Sequence, residues 1–156
     1  MMNEVTTDRI EKTLVLRAPV ARVWRALTDP GEFGAWFGVD LAGATVAPGG
    51  LARGPIQIDG YRHVTFEVQV EEMIPQRRFS WRWHPYAIDP NMDYSSEPMT
   101  RVVFELEEVM DGTRLTVIES GFDLLPVHRR AEAIRMNEMG WAAQLGNIER
   151  HVRTVA

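Results

Sequence analysis

The chain has 156 residues, of which 45% are apolar and 25% are charged, and its formal net charge is −5. This length and balance predict one globular domain with a substantial core and exclude a disordered polymer. The absence of cysteine excludes disulfide scaffolds, thiolate zinc sites and thiol nucleophiles. The negative charge disfavours DNA and RNA as partners, because phosphate binding requires concentrated Lys and Arg.

The N-terminal residues 1–9 are polar and acidic, and they do not combine a basic region with an apolar run. We therefore expect no signal peptide and a cytoplasmic location. No stretch approaches the roughly eighteen uninterrupted apolar residues of a membrane span. The expectation is a single domain over residues 1–156.

The first part of the sequence predicts one strand followed by two short helices. Residues 9–17 contain the aliphatic and β-branched residues of a strand. Apolar residues at helical spacing follow Pro19, while Asp29 and Pro30 supply the N-cap and first residue of a second helix. These two helices are expected over about residues 19–36. Glycines and prolines between residues 39 and 55 allow only short strands broken by turns.

The remaining sequence alternates apolar and polar residues and then changes to helical spacing. Alternation with a period of two, typical of strands buried on one face, occurs in Val64–Val70, Phe79–Trp83, Val102–Leu106 and Leu115–Val117. After Pro126, helical spacing aligns Val127, Ile134, Trp141, Leu145, Ile148 and Val152. We expect an α+β domain in which strands within about residues 38–120 form a curved antiparallel sheet around one helix over about residues 126–153. This arrangement encloses an apolar cavity.

Several motifs occur in an order that points to a known family: RIEKTLVLRAP, VWRALTDP, WFG, FSWRWHP, EPMTRVVFELEE, GTRLTVIESGF and NEMGW. Together they resemble the bacterial branch of proteins homologous to the activator of the heat-shock protein ATPase. This branch belongs to the START-like, or SRPBCC, superfamily, which also contains the birch pollen allergen and the polyketide cyclases. The resemblance covers nearly the whole chain. It implies a helix-grip fold with seven strands, two short helices after the first strand and a long C-terminal helix.

The same resemblance implies a partner. In this superfamily, the cavity between sheet and helix typically holds lipids, sterols, polyketides or other hydrophobic molecules. The expected partner is therefore a small hydrophobic molecule of lipid, sterol-like or polyketide-like character, and no cofactor is expected.

Metal sites are not predicted. Asp89, Asn91 and Asp93 have the spacing found at the start of an EF-hand loop, but Tyr94 stands where the loop requires glycine and Thr100 where it requires glutamate. We therefore expect an exposed polar loop. The histidines are too widely separated to form a zinc site. No serine lies in a nucleophile elbow, and no phosphate-binding loop is present.

The aromatic alternation indicates which residues face the interior. Trp81 and Trp83 share a strand face with Phe79, and their rings either pack in the core or line the cavity. Because a buried indole N–H requires a partner, we expect at least one of the two to line the cavity. The candidate ligand-binding residues are Phe37, Phe66, Trp81, Trp83, Phe104, Val117, Asn137, Trp141 and Leu145.

Asn137 falls inside the apolar stripe of the last helix. A buried amide must bond to protein, water or ligand, since leaving it without a partner costs about 1–3 kcal/mol. We favour a bond to sheet or loop backbone, and the alternative is a polar contact with the ligand. Gly140, at the edge of the stripe, weakens the helix and so suggests that another group approaches closely there.

Glu119 continues the inward alternation of Leu115 and Val117. A carboxyl buried there would have a raised pKa and could act as a general acid or base. The alternative, which we favour, is that the strand has frayed and that Glu119 reaches solvent or an arginine. No catalytic set is predicted, and Glu119 is the candidate if a reaction occurs.

The last helix also carries charged residues of both signs. Mixed signs at helical spacing predict a solvated face with pairs along the helix and no docking patch. The residues concerned are Arg129, Arg130, Arg135, Arg150, Arg153, Glu132, Glu138 and Glu149.

Three functions fit this sequence. The preferred hypothesis is the binding or sequestration of a small hydrophobic ligand without catalysis. The second is a cyclase-like or aromatase-like enzyme that uses the same cavity, with Glu119, Asn137 and Tyr61 as candidates for moving protons. The third is a co-chaperone that stimulates a heat-shock protein ATPase, and it depends on the family resemblance alone.

Overall fold

An antiparallel sheet of six strands and three α-helices make up the computed structural model, which describes residues 8–154. The strands are β1 (Arg9–Leu16), β2 (Leu51–Pro55), β3 (Thr65–Ile74), β4 (Arg78–Trp83), β5 (Thr100–Val109) and β6 (Gly112–Ser120). The helices are α1 (Val20–Thr28), α2 (Pro30–Phe37) and α3 (Val127–Thr154). A short 3-10 helix at Phe122–Leu124 precedes α3.

The strands lie in the order β1-β6-β5-β4-β3-β2. Strands β2 to β6 form a meander, and β1 completes the sheet by pairing antiparallel with β6, from Arg9 opposite Ser120 to Leu16 opposite Thr113. The sheet curves around α3, so the expected helix-grip arrangement of an α+β domain is confirmed.

The expected number of seven strands is wrong, because the structure has six. The difference lies between α2 and β2, where Val39 forms only an isolated bridge with Ile56. Gly43 and Gly49 both have φ of +80°, in the left-handed region that turns require. These turns interrupt the segment before a further strand can form.

Proline residues and one side-chain cap mark the starts of the three helices. Pro19 has an extended conformation, so α1 begins one residue later at Val20. The expected cap of α2 is confirmed, because Asp29 Oδ2 accepts a hydrogen bond of 2.9 Å from the backbone N–H of Glu32. In the same way α3 begins at Val127, directly after Pro126.

Aromatic rings fill most of the space between the sheet and the helices. Trp81 of β4 lies at the centre, with its ring centroid 5.7 Å from that of Phe33, 5.1 Å from that of Phe104 and 6.4 Å from that of Trp141. Such ring pairs contribute about 0.5–1.5 kcal/mol each beyond the area that they bury. A gap of about 10 Å³ remains beside Trp81 on the side of α2. Larger spaces lie near Phe37, at the end of α2, and Trp83, at the end of β4.

Among the residues that the structure describes, no helix has both the length and the apolar character needed to cross a membrane.

Candidate ligand-binding site around Glu119

Glu119 is fully buried, with a relative exposure of 0%. The inward alternation of β6 continues as far as this residue because the strand does not fray. Hydrogen-bonded ladders on both sides extend to Ser120, which lies opposite Arg9 of β1 and Arg101 of β5. Our favoured expectation, that Glu119 reaches solvent or an arginine, was therefore wrong.

Four uncharged side chains donate hydrogen bonds to the Glu119 carboxyl. Oε1 accepts from Trp141 Nε1 at 2.8 Å and from Asn137 Nδ2 at 2.9 Å. Oε2 accepts from Trp83 Nε1 at 2.8 Å and from Thr100 Oγ1 at 2.5 Å. Because these donors belong to β4, β5 and α3, the carboxyl joins the sheet to the helix that the sheet surrounds.

Burial raises the pKa of Glu119, and the hydrogen bonds from Thr100, Trp141, Trp83 and Asn137 offset only part of this effect. Indole and amide N–H groups can only donate, so the Thr100 hydroxyl is the one partner able to accept a hydrogen bond from the neutral carboxyl. Both oxygens are occupied by protein donors. Glu119 is thus placed to orient its neighbours rather than to contact a substrate directly.

Asn137 bonds to the Glu119 side chain and not to sheet or loop backbone, so that favoured expectation was also wrong. The acceptor fixes the orientation of the amide: its NH₂ group must face the carboxyl, and Oδ1 must therefore point away. No residue in the described part of the chain donates a hydrogen bond to Oδ1. This oxygen remains free to accept a hydrogen bond from another group.

A pocket of about 100 Å³ borders Glu119's hydrogen-bond donors Trp83, Asn137 and Trp141. It is lined by Phe37, Trp83, Asn137, Gly140, Trp141 and Gln144. A Cβ atom added at Gly140 would meet no atom within 4 Å, so the close approach that we expected at this glycine is absent from the described chain. Gln144 Nε2 donates to the carbonyl of Phe37 at 2.8 Å and thereby connects α3 to the end of α2.

A larger cleft of about 380 Å³ adjoins the pocket and shares Phe37 and Trp83 with it. Its other apolar walls are Ile56, Val64, Phe66, Tyr86, Ala87, Ile88 and Tyr94, and its polar rim is Thr65, Glu67, His84, Asp93 and Ser95. This volume is within the range of about 300–1,000 Å³ that is common for small-molecule sites. The pocket and the cleft together are the candidate binding site.

The loop between β4 and β5, residues 84–99, forms one wall of the cleft and is tied to α3 by Arg129. The guanidinium donates to Glu97 Oε1 at 2.9 Å, to the carbonyl of Pro85 at 2.9 Å and to that of Tyr86 at 3.1 Å. The side chains of Arg129 and Glu97 are only 11% and 8% exposed. Arg129 therefore does not belong to the solvated helix face that the charge pattern predicted.

The structure divides the candidate ligand-binding residues into two groups. Residues that border the open site are Phe37, Phe66, Trp83, Asn137 and Trp141. Residues buried in the core, away from both spaces, are Trp81, Phe104, Val117 and Leu145. Of the paired tryptophans, Trp83 donates to Glu119, whereas the buried Trp81 Nε1 has no hydrogen-bond partner among the described residues. Tyr61 lies in the turn before β3, where its carbonyl accepts from the N–H of Val64.

The polar loop expected from the failed EF-hand pattern forms local turns. Asp89 Oδ1 accepts from the N–H of Asn91, and Asp93 Oδ1 accepts from the N–H of Ser95, both at 2.9 Å. Within residues 8–154, no group of three or more acidic or histidine side chains is arranged to hold a metal ion.

A curved antiparallel sheet around one long helix, with a polar cluster between them, defines a helix-grip α+β protein. The model of the family described as "Activator of Hsp90 ATPase homolog 1-like protein" matches residues 17–153, and the chain belongs to this family. The match confirms the resemblance carried by the sequence motifs. No curated protein matches the chain significantly.

Solved structures share the fold over nearly the whole chain. A protein from Mesorhizobium loti has 21% identity and a TM-score of 0.71, with 95% of this chain and 98% of that chain covered. DynU16, a protein of the dynemicin biosynthetic locus, has 26% identity and a TM-score of 0.70, with 94% of this chain and 48% of that chain covered. The Aha1 dimer from Colwellia psychrerythraea has 18% identity and a TM-score of 0.67, with 92% and 95% covered.

Proposed function

We propose that the protein binds a small, mainly apolar molecule in the cleft and pocket between the sheet and α3. The observation that carries this proposal is the buried Glu119, which holds Trp83 and Trp141 so that their N–H groups face inward and their rings border the pocket. A site prepared in this way loses little side-chain entropy when a ligand binds.

The dimensions of the site support a compact ligand. The cleft of about 380 Å³ is near the lower end of the usual range, and five of its fourteen lining residues are Phe, Trp or Tyr. A ring-containing molecule of polyketide-like or sterol-like character fits this shape better than a long-chain lipid. A chaperone partner is supported by the description of the family.

A titration with the uncharged dye Nile red tests the proposal. Dye emission and the melting temperature should both rise with dye concentration, because a ligand that binds only the native state stabilises it. Ile88→Phe, in a cleft wall, should weaken binding, whereas the matched control Ile74→Phe, at the far end of β3, should not. If saturating dye changes neither emission nor melting temperature, the proposal fails.

A cyclase-like enzyme is the second candidate, and the raised pKa of Glu119 favours it. DynU16, which is similar in fold, is a protein of a biosynthetic locus. The full engagement of both Glu119 oxygens favours binding over catalysis. Native mass spectrometry of protein purified from its own host distinguishes the two: a binding protein returns its ligand unchanged after incubation, whereas an enzyme returns a molecule of altered mass.

A further inference from the structure

We propose that the bound molecule is uncharged and donates a hydrogen bond from a phenol or alcohol hydroxyl to Asn137 Oδ1, and that the site discriminates against carboxylates. This inference depends on the proposed function and specifies the ligand class of the same site. It follows from the way in which Glu119 determines the polarity of the pocket wall.

The first step concerns the Asn137 amide. An asparagine in an apolar pocket can ordinarily offer either its NH₂ group or its oxygen to a ligand. Here Glu119 accepts from Nδ2 at 2.9 Å, so the pocket receives the oxygen. Asn137 is only partly buried, and it is one of the residues that line the pocket. The wall therefore presents an acceptor, which requires a donor from the ligand.

The second step concerns the other polar groups around the pocket. Both indole N–H groups are consumed by Glu119, so Trp83 and Trp141 contribute aromatic surface. Gln144 is held between neighbours, since its Nε2 donates to the Phe37 carbonyl and its Oε1 accepts from Asn147 Nδ2 at 3.0 Å. The indoles that could have bound an anion are directed elsewhere.

The third step concerns charge. Neither Lys nor Arg lines the pocket or the cleft among the described residues, while Glu67 and Asp93 lie on the rim of the cleft. The nearby Arg129 is already paired with Glu97 and two carbonyls. A carboxylate ligand would lose its hydration and would meet the acceptor oxygen of Asn137 and these acidic groups. The exposed Arg135 acts on Tyr86 from outside the lining of the cleft and is opposed there by Glu132.

Three matched probes test the ligand class: 4-butylphenol, butylbenzene and 4-butylbenzoate, titrated at neutral pH with tryptophan emission and calorimetry as readouts. The phenol should bind about five- to tenfold more tightly than butylbenzene, corresponding to one additional hydrogen bond. The benzoate should bind more weakly than both. Benzoate binding as tight as that of the phenol overturns this inference alone. If none of the probes binds, both this inference and the proposed function fail.

Variants locate the preference at Asn137. Asn137→Leu should abolish the advantage of the phenol over butylbenzene while butylbenzene still binds. Because this change also removes a donor from Glu119, Gly140→Leu provides a second test: its side chain enters the open pocket, and leucine is a better helix former than glycine. The fold should therefore remain stable while the phenol preference disappears. Gly146→Leu, on the same helix outside the pocket, is the matched control. A preference that survives in both variants overturns the inference.

Discussion

Glu119 is a buried carboxyl with uncharged partners only. Whichever of its oxygens is replaced by an NH₂ group in Glu119→Gln, at least one indole loses its acceptor, because Trp83 donates to Oε2 and Trp141 donates to Oε1. We expect the substitution to lower the free energy of unfolding by about 1–3 kcal/mol at low pH. Denaturant unfolding should show this loss, whereas Glu105→Gln, at an exposed position of β5, should show almost none.

The loss in Glu119→Gln should also depend on pH, because burial raises the pKa of Glu119 in the folded state. A raised pKa means that the folded chain binds the proton more strongly, so the carboxyl stabilises the fold at low pH. This stabilisation is lost as pH increases through the folded-state pKa. The difference in unfolding free energy between wild type and Glu119→Gln should therefore decrease with increasing pH. A difference that grows with pH would contradict the raised pKa.

The sequence predicted on which side of α3 Asn137 lies, whereas the inward position of Glu119 was the alternative that it did not favour, and it predicted the observed partners of neither residue. Helical spacing correctly placed Asn137 toward the sheet, and alternation correctly indicated that Glu119 could face inward. Their mutual bond joins a strand end to a helix, and a periodic pattern does not contain such a distance. The double pairing of β6 as far as Ser120, which keeps Glu119 buried, is likewise a property of the assembled sheet.

At the scale of elements, Arg129 determines the position of the loop between β4 and β5. Arg129→Met leaves Glu97 buried without a cation, and breaking such a pair costs about 3–5 kcal/mol. We expect reduced stability together with faster amide hydrogen exchange within residues 84–99. Arg153→Met, at an exposed position of the same helix, is the matched control. Equal effects of the two substitutions would show that the contacts of Arg129 do not hold the loop.

The positions of elements were predicted more accurately than their number and contacts. Alternation and helical spacing are local, and they identified the meander, the paired short helices and α3. The prediction of a seventh strand was wrong because turns at Gly43 and Gly49 interrupt this segment, in which Val39 forms only an isolated β-bridge. Arg129 was assigned to solvent because the charge pattern of a helix does not reveal that a loop 32 residues upstream folds back onto it.

At the scale of the whole molecule, Glu32 connects all three helices. It accepts from Arg22 of α1 at 2.6 Å and from Arg25 of α1 at 2.7 Å, and it lies 3.0 Å from His151 Nε2 of α3. Although burial would raise the pKa of Glu32, the hydrogen bonds from His151, Arg25 and Arg22 outweigh this effect and lower it. The ionised carboxylate therefore stabilises the packing of the helices against one another.

Because the pKa of Glu32 is lowered in the folded state, its stabilisation is present above the unfolded-state pKa and is lost as pH falls through the folded-state value. Glu32→Gln should cost about 1 kcal/mol at neutral pH, and this cost should vanish in acid. Unfolding measurements across this pH range test the prediction, with Glu138→Gln, whose side chain is 61% exposed, as the control. A cost that is independent of pH would show that the charge of Glu32 is not responsible.

The pairing of β1 with β6 affects the order in which the chain can fold as it is synthesised. Thr13 and Thr116 share a hydrogen bond of 3.1 Å although they are 103 positions apart. Contacts so distant in sequence form slowly, because a long loop must close before they contribute stability. During synthesis on the ribosome, β1 emerges before the other five strands but cannot pair until β6 has been made. The strands from β2 to β5 can form their part of the meander before that. The first strand to be made is therefore among the last to enter the sheet.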